Sequence, residues 1–590
     1  MAATVPNSDR LRRVTVHSPR MSNNGYLLDL LNGGIWFSEQ VHAEERRRTV
    51  VDVRLHPIGS PWVRWVRTFT DLSTVPVKVR RRLVKWYRAV TGAGSSDAGH
   101  QEPSIIDRIR VRASSVYLRV DDHLNVEMHR MEVGYGAAAV PTLRACLQAL
   151  QCWRNCRRDG RMDVQALLQL RYRGVHIGDL VASETIGLHQ TAGGSLRQCG
   201  ALALVGCLAD AVYTVDYILG QSWTSGVDEC VTTSETTYLE ELYRRTLQLQ
   251  GFYLLELYDY SGRLRLIPPG EGLPNPFVAR ADAHMPLSAQ QKERTWKYLA
   301  ERTRDAGQHL WYMNVGQNRH GQEGVTTVHG HVLERDDRAL TAVIFLHSFD
   351  DAQYMFGLDG FDDLYEWTVA SIEGCLANRQ IGRVLIKEHP NIDLETFPSD
   401  KYAVRRLKRR FQHESRVQYI DRCTDVKALL SLGRVYGITN HGSVAEELVA
   451  VGIPVIATSK APWGGHYPFV HFWDSPADYA ALLRGLTVDG WQAPGHKEME
   501  ALIRFVNEYR LNNLPGQDLP VSVQWMMWKD PAVNILTPDI SVAIEQQVST
   551  LGANDPQMIQ WLRDRANGYR DHRGPVRANA GVHRNAQGVR

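Results

Sequence analysis

The sequence predicts an α/β protein with two parallel-sheet domains, and three observations support this fold class. The chain has 590 residues, which is enough for two or three sizeable domains. Hydrophobic residues make up 43% and charged residues 23% of the chain, which is ordinary for globular proteins and excludes a mainly disordered, collagenous or coiled-coil protein. Apolar strands alternate with helices over 111–285 and again over 338–480, and such alternation is typical of parallel sheets.

Charge and hydropathy exclude several classes of protein. The 68 Lys and Arg exceed the 65 Asp and Glu by only three, so the chain as a whole does not require a nucleic-acid partner. No run of about 18 apolar residues predicts a membrane span, and the first residues lack the apolar core of a secretory signal. We therefore expect a cytoplasmic protein with reduced cysteines. Cys152 and Cys156 have no second pair to complete a metal site, so we predict none.

Residues 1–110 are predicted to form a basic and aromatic appendage. Between Pro61 and Arg88, eight Lys and Arg stand against one Asp, and Trp and Tyr lie among them. This mixture favours an amphipathic element on an anionic membrane surface. A solvated basic helix packed on the main body, or a nucleic-acid patch, gives the same pattern.

The first α/β unit, 111–285, is predicted to be a Rossmann-like domain that binds the acceptor. Its helices and strands come in alternation, and a charged helix around 288–305 lies in a predicted interdomain connection, 286–337. The elements predicted within the first unit are a helix at 143–156, strands at 172–177, 227–231 and 252–257, and a helix at 238–249.

The second α/β unit, 338–480, has the clearer pattern and is predicted to be the Rossmann-like nucleotide domain. Its loops after the strands are where such a fold binds ligands. Helices are predicted over 481–565, and the Arg-, Gly- and Asn-rich end, 566–590, is predicted to be disordered. Within the unit we predict strands at 339–346, 383–390, 435–440 and 454–458, and helices at 361–378 and 443–451.

A polar loop follows the strand at 435–440 and opens a helix. Free backbone N–H groups there can bind an anion; Asn440 belongs to this loop, Gly442 allows close approach, and the Ser443 hydroxyl is a further donor. The alternative is a capping box, in which Glu446 folds back on the start of the helix. The residues alone leave both interpretations open.

A second group of polar residues follows the strand at 383–390. Lys387, Glu388 and His389 come at its carboxyl end, and Pro390 stops the strand. Cationic and imidazole donors at this edge of a parallel sheet can bind a phosphate or protonate a leaving group. A structural histidine is the alternative, but the two loops belong to one sheet and can converge.

The stretches KEHPN and TNHGSVAEELVAVGIPVIAT resemble the C-terminal half of bacterial surface-polysaccharide glycosyltransferases of the GT-B fold. The similarity is to the Kdo-transferase and sialyltransferase-like group, and HSFDDAQYMFG and YRGVHIGDLV add to it. This resemblance implies two facing Rossmann-like domains, and a His-Pro motif and a serine turn that bind CMP. The turn has one serine where sialyltransferases have two, and the first unit has no clear Asp-Asp-Gly or Glu-Asp-Gly element.

Sugar transfer needs a carboxylate that acts as base or nucleophile. Asp179 follows a strand and Gly178 in the half opposite the nucleotide, so it is the predicted catalytic carboxylate, with Glu184 and Glu235 in reserve. A helix N-cap is the alternative role for Asp179. Metal-dependent transferases use an Asp-X-Asp triplet, and the chain has none; we therefore predict a metal-independent enzyme.

The predicted function is transfer of a sugar from a nucleotide sugar, with a CMP-sugar such as CMP-Kdo favoured, to a cell-surface polysaccharide or lipid-linked acceptor. His389 and Ser443 would hold the donor phosphate, Lys387 would add positive charge, and Glu446 would reach the ribose. His389, with Asp179, is also a predicted catalytic residue, and no cofactor beyond the donor is expected. A sugar-nucleotide epimerase on the same fold and a non-catalytic membrane-associated binding protein are the alternatives.

Overall fold

The structure is a computed structural model, and it describes most of 135–511 together with four segments and the single residue 63 before it. The predicted membrane element at 61–88, apart from residue 63, and the predicted tail lie outside the described residues. The described residues are 12–19, 49–56, 63, 115–119, 124–130, 135–189, 193–221, 229–234, 239, 241–250, 254–258, 263–267, 287–304, 327–328, 331–349, 353–354, 356–389, 398–420, 422 and 424–511.

Seven strands of the N-terminal half form one mixed sheet in the order β11-β10-β9-β1-β2-β4-β3. The five inner strands are parallel, and β11 and β3 run antiparallel at the edges. Two short hairpins, β5 with β6 and β7 with β8, stand apart from it. The strands are β1 Arg12–Pro19, β2 Thr49–His56, β3 Ser115–Arg119, β4 Leu124–Arg130, β5 Arg157–Arg158, β6 Arg161–Met162, β7 Arg171–Tyr172, β8 Val175–His176, β9 Glu229–Ser234, β10 Leu254–Tyr258 and β11 Arg263–Ile267.

This sheet differs from the appendage predicted for residues 1–110. Strands β1 and β2 lie inside it, β1 between β2 and β9, so the sheet joins residues from both sides of residue 110. Both strands alternate β-branched and polar residues, as RRVTVHSP and TVVDVRLH show. That is the period of a β-strand, whereas the basic and aromatic run that follows them is typical of a surface element.

The described part of the N-terminal half contains five α-helices. They are α1 Tyr135–Asn155, α2 Val164–Leu168, α3 Gly178–Leu188, α4 Ala201–Gly220 and α5 Glu241–Leu249. Among the described helices, α4 alone is long and apolar enough to span a membrane, but 67% of its most apolar stretch is buried inside the fold. A core helix has the same length and composition, and α4 packs against α1, α3 and α5.

The C-terminal half contains a six-stranded sheet that is parallel throughout, as predicted. Its order is β16-β15-β14-β17-β18-β19, which is 3-2-1-4-5-6 along the chain and is the order of a Rossmann fold. The strands are β14 Asp336–Phe345, β15 Ile381–Lys387, β16 Val417–Ile420, β17 Gly433–Ile438, β18 Val455–Thr458 and β19 His471–Trp473, preceded by a hairpin of β12 Thr327–Val328 and β13 His331–Val332.

Six of the described α-helices pack with this sheet. They are α6 Ala289–Arg304, α7 Leu364–Ala377, α8 Pro398–Arg410, α9 Val444–Ala450, α10 Pro476–Gly485 and α11 His496–Phe505, and a π-helix follows at Val506–Leu511. The charged helix predicted in the interdomain connection is α6, which packs on α9, α11 and the π-helix. Segment 289–304 is therefore part of the C-terminal half.

Strand β14 explains why the sequence of this sheet is continuously apolar. Ala342 and Ile344 enter one buried cluster, and the alternate residues Val343 and Phe345 enter another. Both faces of the sheet are thus covered, as expected of parallel sheets. The first cluster also contains residues of α3 and α4, so the core continues from the C-terminal sheet into the N-terminal half.

Candidate functional site

The candidate site lies where the strand order of the C-terminal sheet reverses, between β14 and β17. Strands β14 and β17 are neighbours, with Ile344 beside Ile438, but the connections after them go to opposite sides of the sheet. The loops that follow them separate, and the crevice between such loops is the ligand site of Rossmann-type sheets. His347 follows β14, and the loop 439–443 follows β17.

His347 fastens the two loops to each other. Its Nε2 accepts a hydrogen bond from the backbone N–H of Asn440 at 3.1 Å and lies 3.1 Å from the Thr439 hydroxyl. Because Nε2 is an acceptor, the proton of the neutral ring lies on Nδ1. A Cβ on Gly442 would lie 3.2 Å from Cε1 of this ring, so the glycine makes room for the His347 side chain. The approach of a phosphate to Gly442 stays a prediction.

His441 stands beside His347, with 4.4 Å between their ring centroids. Its Nδ1 donates to Oδ1 of Asn440 at 2.8 Å, which leaves Nε2 as the unprotonated nitrogen of the neutral ring. His441 could therefore donate a hydrogen bond to an anion only as an imidazolium. Asn440 is fully buried, and its Nδ2 has no hydrogen-bond partner among the described residues.

His389 follows β15, the next strand of the sheet, and interacts electrostatically with His347. Burial, with the charge of Lys387, lowers the pKa of His389 to about 4, and burial lowers that of His441 to about 3. Burial and the two other rings hold the pKa of His347 well below 6.5. The site thus presents three neutral imidazoles at neutral pH.

Lys387 lies two residues before His389, and its amino group contacts a backbone carbonyl. Its Nζ donates to the carbonyl oxygen of Arg422 at 2.5 Å and lies 5.9 Å from the ring centroid of Phe345. Its charge reaches the site through space and lowers the pKa of His389. The neighbouring Glu388 pairs with Lys408 at 2.7 Å, and Pro390 lies outside the described residues.

Ser443 precedes α9, and its side chain makes no capping hydrogen bond. The structure therefore does not form the capping box that the sequence left open. Helix α9 has seven residues, so its dipole is small, and an anion at this loop would depend on the hydroxyl, the imidazoles and the backbone N–H groups.

Glu446 is fully buried and holds the loop in place. Its carboxylate pairs with Arg510 at 2.7 Å and with Arg302 at 3.4 Å, and Arg302 also contacts Glu447 and donates to the carbonyl oxygen of Ser443. These contacts assign Glu446 to positioning the loop from α6 and the π-helix. They leave no exposed carboxylate for the ribose contact predicted from the sequence.

A cleft of about 1040 Å³ lies next to the loops that carry these histidines, between segments of the two halves. One wall comes from α2, α3 and α5 and carries Asp179 and Arg245; the other comes from loops 356–361 and 459–466 and carries Asp359 and Lys460. Phe356 lines the cleft, and its ring centroid lies 5.0 Å from that of His441. The cleft and the histidines are therefore adjacent.

Asp179 lies in the cleft, in the half opposite the histidines, but it is tied into an ion pair. Both of its oxygens accept from Arg245 at 2.7 Å, and His176 Nδ1 lies 3.1 Å away. Burial would raise the pKa of Asp179, but Arg245 and His176 outweigh it and hold the pKa below its ordinary value. A carboxylate held in this way is a weak base. Of the reserve candidates, Glu184 lies on α3, and Glu235 lies outside the described residues.

Asp359 is a cleft carboxylate that sequence reasoning missed. Its backbone is left-handed at φ +44°, between Gly357 and Gly360, which are also at positive φ. The carboxylate accepts from the hydroxyls of Thr458 and Ser459, and burial raises its pKa despite them. Strain of this kind is often found at functional sites. The Gly-Leu-Asp-Gly pattern was the available signal, because such residues favour a left-handed turn.

The described residues contain no group of three or more His, Cys, Asp and Glu side chains arranged to hold a metal ion. In the histidine cluster the rings of His347 and His441 pack against each other, and His389 interacts with His347 electrostatically. The cluster brings together the predicted residues His389, Asn440 and Gly442, together with His347 and His441, which the sequence analysis did not select.

No protein-family model and no curated protein matches the chain. Several solved structures show remote likeness. The beta Kdo 2,4 transferase KpsC of Thermosulfurimonas dismutans has 12% identity and a TM-score of 0.28 and covers 47% of this chain and 80% of that one. A trehalose-6-phosphate structure from E. coli bound with UDP-2-fluoro glucose has 11% identity and a TM-score of 0.27. The match covers 88% of this chain and 98% of that one. The UDP-forming alpha,alpha-trehalose-phosphate synthase of Burkholderia vietnamiensis has 8% identity and a TM-score of 0.26. The match covers 93% of this chain and 99% of that one. Scores this low assign neither a fold family nor a function.

The buried ion pairs of Glu446 can be tested by Glu446→Gln. Because the change leaves buried Arg302 with one fewer counter-charge, we expect the free energy of unfolding to fall by about 3 kcal/mol. Denaturant unfolding measures it. The control is Glu373→Gln, which breaks an ion pair of the same type between side chains that are about half exposed; we expect a change within about 0.5 kcal/mol there. Equal effects of the two variants would contradict the assignment.

Proposed function

We propose that the protein is a glycosyltransferase that takes a nucleotide sugar, with a CMP-sugar such as CMP-Kdo favoured, and transfers the sugar to a cell-surface polysaccharide or lipid-linked acceptor. We further propose that it works in the cytoplasm, with its two halves arranged as in the GT-B fold. The CMP-sugar and the acceptor rest on the resemblance of KEHPN and the serine turn to the Kdo-transferase group. The general activity rests on the site.

One observation carries the proposal: at the switch point of a Rossmann-type sheet, the imidazoles after β14 and β17 pack together and the imidazole after β15 interacts electrostatically with the one after β14, beside a cleft with a carboxylate on each wall. A nucleotide phosphate is an anion, and the switch point is where such a sheet binds nucleotides. Neutral imidazoles can take a proton when an anion arrives, because a negative neighbour favours the charged form.

The transfer needs two kinds of help that this arrangement can give. When the bond between the anomeric carbon and the phosphate oxygen breaks, negative charge grows on the phosphate, and His389, His441 and Ser443 would stabilise it. The acceptor hydroxyl must lose a proton as its oxygen bonds to the anomeric carbon. A carboxylate in the cleft, Asp179 or Asp359, would take that proton.

The nucleotide is identified by a thermal-shift panel of CMP, UDP, GDP and their sugars on the full chain. A ligand at about 100 times its dissociation constant stabilises the folded state by about 2.7 kcal/mol. The proposal predicts stabilisation by one nucleotide class, with CMP compounds favoured. If no compound in the panel stabilises the protein, a non-catalytic binding protein becomes the better interpretation; turnover of the sugar nucleotide without acceptor would favour an epimerase.

His389→Ala and Ser443→Ala should each weaken the affinity for the nucleotide that binds. The loss of one hydrogen bond to a charged group costs about 1.5–3 kcal/mol, so a ten- to hundredfold rise in Kd is expected in calorimetry. If both side chains contact the same phosphate, the double variant should deviate from additivity.

The matched control for this experiment is His413→Ala, which removes an exposed imidazole that follows α8. It should leave Kd unchanged. The phosphate assignment fails if His389→Ala and Ser443→Ala keep the wild-type Kd, particularly if Ser443→Ala loses thermal stability instead.

The two carboxylates are compared with Asp359→Asn and Asp179→Asn. Asn keeps the size of the side chain and removes the charge that a base needs. Because Asp359 has the raised pKa, we expect its variant to lose at least about a hundredfold in kcat with donor Kd unchanged. Asp179→Asn should lower the melting temperature, since it removes the two 2.7 Å contacts of the largely buried Arg245 with a carboxylate and leaves it, among the described residues, only the 3.7 Å ion pair with Glu241.

Steady-state kinetics and melting curves on both variants separate the roles. A hundredfold loss of kcat in Asp179→Asn at unchanged melting temperature, together with an active Asp359→Asn enzyme, would transfer the role of base to Asp179, the residue predicted from the sequence.

A further inference from the structure

Helix α1 is apolar on two opposite sides. Its inner side carries small buried residues, and Ala138 and Ala145 pack against Val212 and Tyr213 of α4. Its outer side carries a second apolar row, spaced i, i+3, i+7 and i+10, which places the row on one face of the helix. The row consists of Val140, Leu143, Leu147 and Leu150, whose exposed fractions are 69%, 64%, 60% and 38%.

The charges on this helix are positive. Residues 135–155 contain Arg144 and Arg154 and no Asp or Glu, and Arg157 and Arg158 of β5 follow the helix, ahead of Asp159. All four arginines are exposed, and three of them lie at or just after the end of the helix. There the guanidinium of Arg157 lies over the ring of Trp153, 4.6 Å from its centroid. An apolar row flanked by arginine and tryptophan is the pattern of a helix that lies in a membrane interface.

We propose that the outer face of α1, defined by Val140, Leu143, Leu147 and Leu150, lies on an anionic lipid bilayer. The leucines enter the boundary between headgroups and acyl chains, and the arginines contact the lipid phosphates. The excess of positive charge on and just after the helix selects this occupant, because the surface that covers the face has to supply negative charge. This inference is independent of the proposed function and of the predicted element at 61–88.

Vesicle sedimentation of the full chain tests it. Wild-type protein should bind phosphatidylcholine vesicles that contain about 30 mol% phosphatidylglycerol at low salt, and bind pure phosphatidylcholine at least about tenfold more weakly. The double variant Leu143→Glu, Leu147→Glu should bind the anionic vesicles at least about tenfold more weakly than wild type. Its matched control is Leu249→Glu, Leu430→Glu, which places the same charges at two other exposed leucines and should bind as wild type does.

A second variant tests the charge without altering the apolar row. Each arginine near an anionic surface contributes about fivefold in affinity, so Arg154→Gln, Arg157→Gln, Arg158→Gln should lose about a hundredfold. The control with the same change of charge is Arg338→Gln, Arg405→Gln, Arg409→Gln, at exposed positions in the C-terminal half. Circular dichroism confirms that each variant is folded.

Three results would overturn the proposal. Wild-type protein that does not sediment with anionic vesicles has no such surface. Variants of α1 that bind as tightly as wild type would assign the binding to another segment. A wild-type dimer in analytical ultracentrifugation that Leu143→Glu, Leu147→Glu converts to a monomer would identify a second copy of the chain as the occupant of this face.

Discussion

The site depends on one hydrogen bond, from the backbone N–H of Asn440 to Nε2 of His347. The strand order sends the chain in opposite directions after β14 and β17, so the two loops would separate without a link. The imidazole supplies that link and, by accepting it, fixes its own tautomer. Thr439, His441 and Gly442 are then placed around the ring. The sheet topology and this one hydrogen bond together set the positions of the donors and acceptors in the site.

The surroundings of the loop keep that arrangement rigid and nearly neutral. Glu446, Arg302 and Arg510 join three elements beneath it in a buried ion network, so the loop position is set from outside the sheet. The histidines are uncharged because burial disfavours their charged form. An anion that binds beside the histidines would favour their charged form, so one of them would take up a proton. Binding of the anion is thereby coupled to protonation of the site.

The sequence predicted the C-terminal sheet well because its strands are buried on both faces and read as continuous apolar runs. It placed His389, Asn440 and Gly442 after the correct strands for the same reason. It did not select His347, because a single histidine after a strand forms no recognisable pattern. Its role becomes visible only from its hydrogen bond with Asn440 on the neighbouring loop. Glu446 shows the opposite case: its partners, Arg302 and Arg510, are 144 and 64 positions away in the chain, and local spacing suggested a cap instead.

The protonation state of the three rings tests the account most directly. Protein labelled with ¹⁵N-histidine, assigned by single His→Gln variants at 347, 389 and 441, reports the tautomer and charge of each ring by NMR. The account predicts a neutral His347 with its proton on Nδ1 in the free protein. It further predicts that the His389 and His441 signals move on nucleotide saturation, with at least one shifting toward imidazolium. All three signals unchanged in protein that is saturated with nucleotide would contradict it.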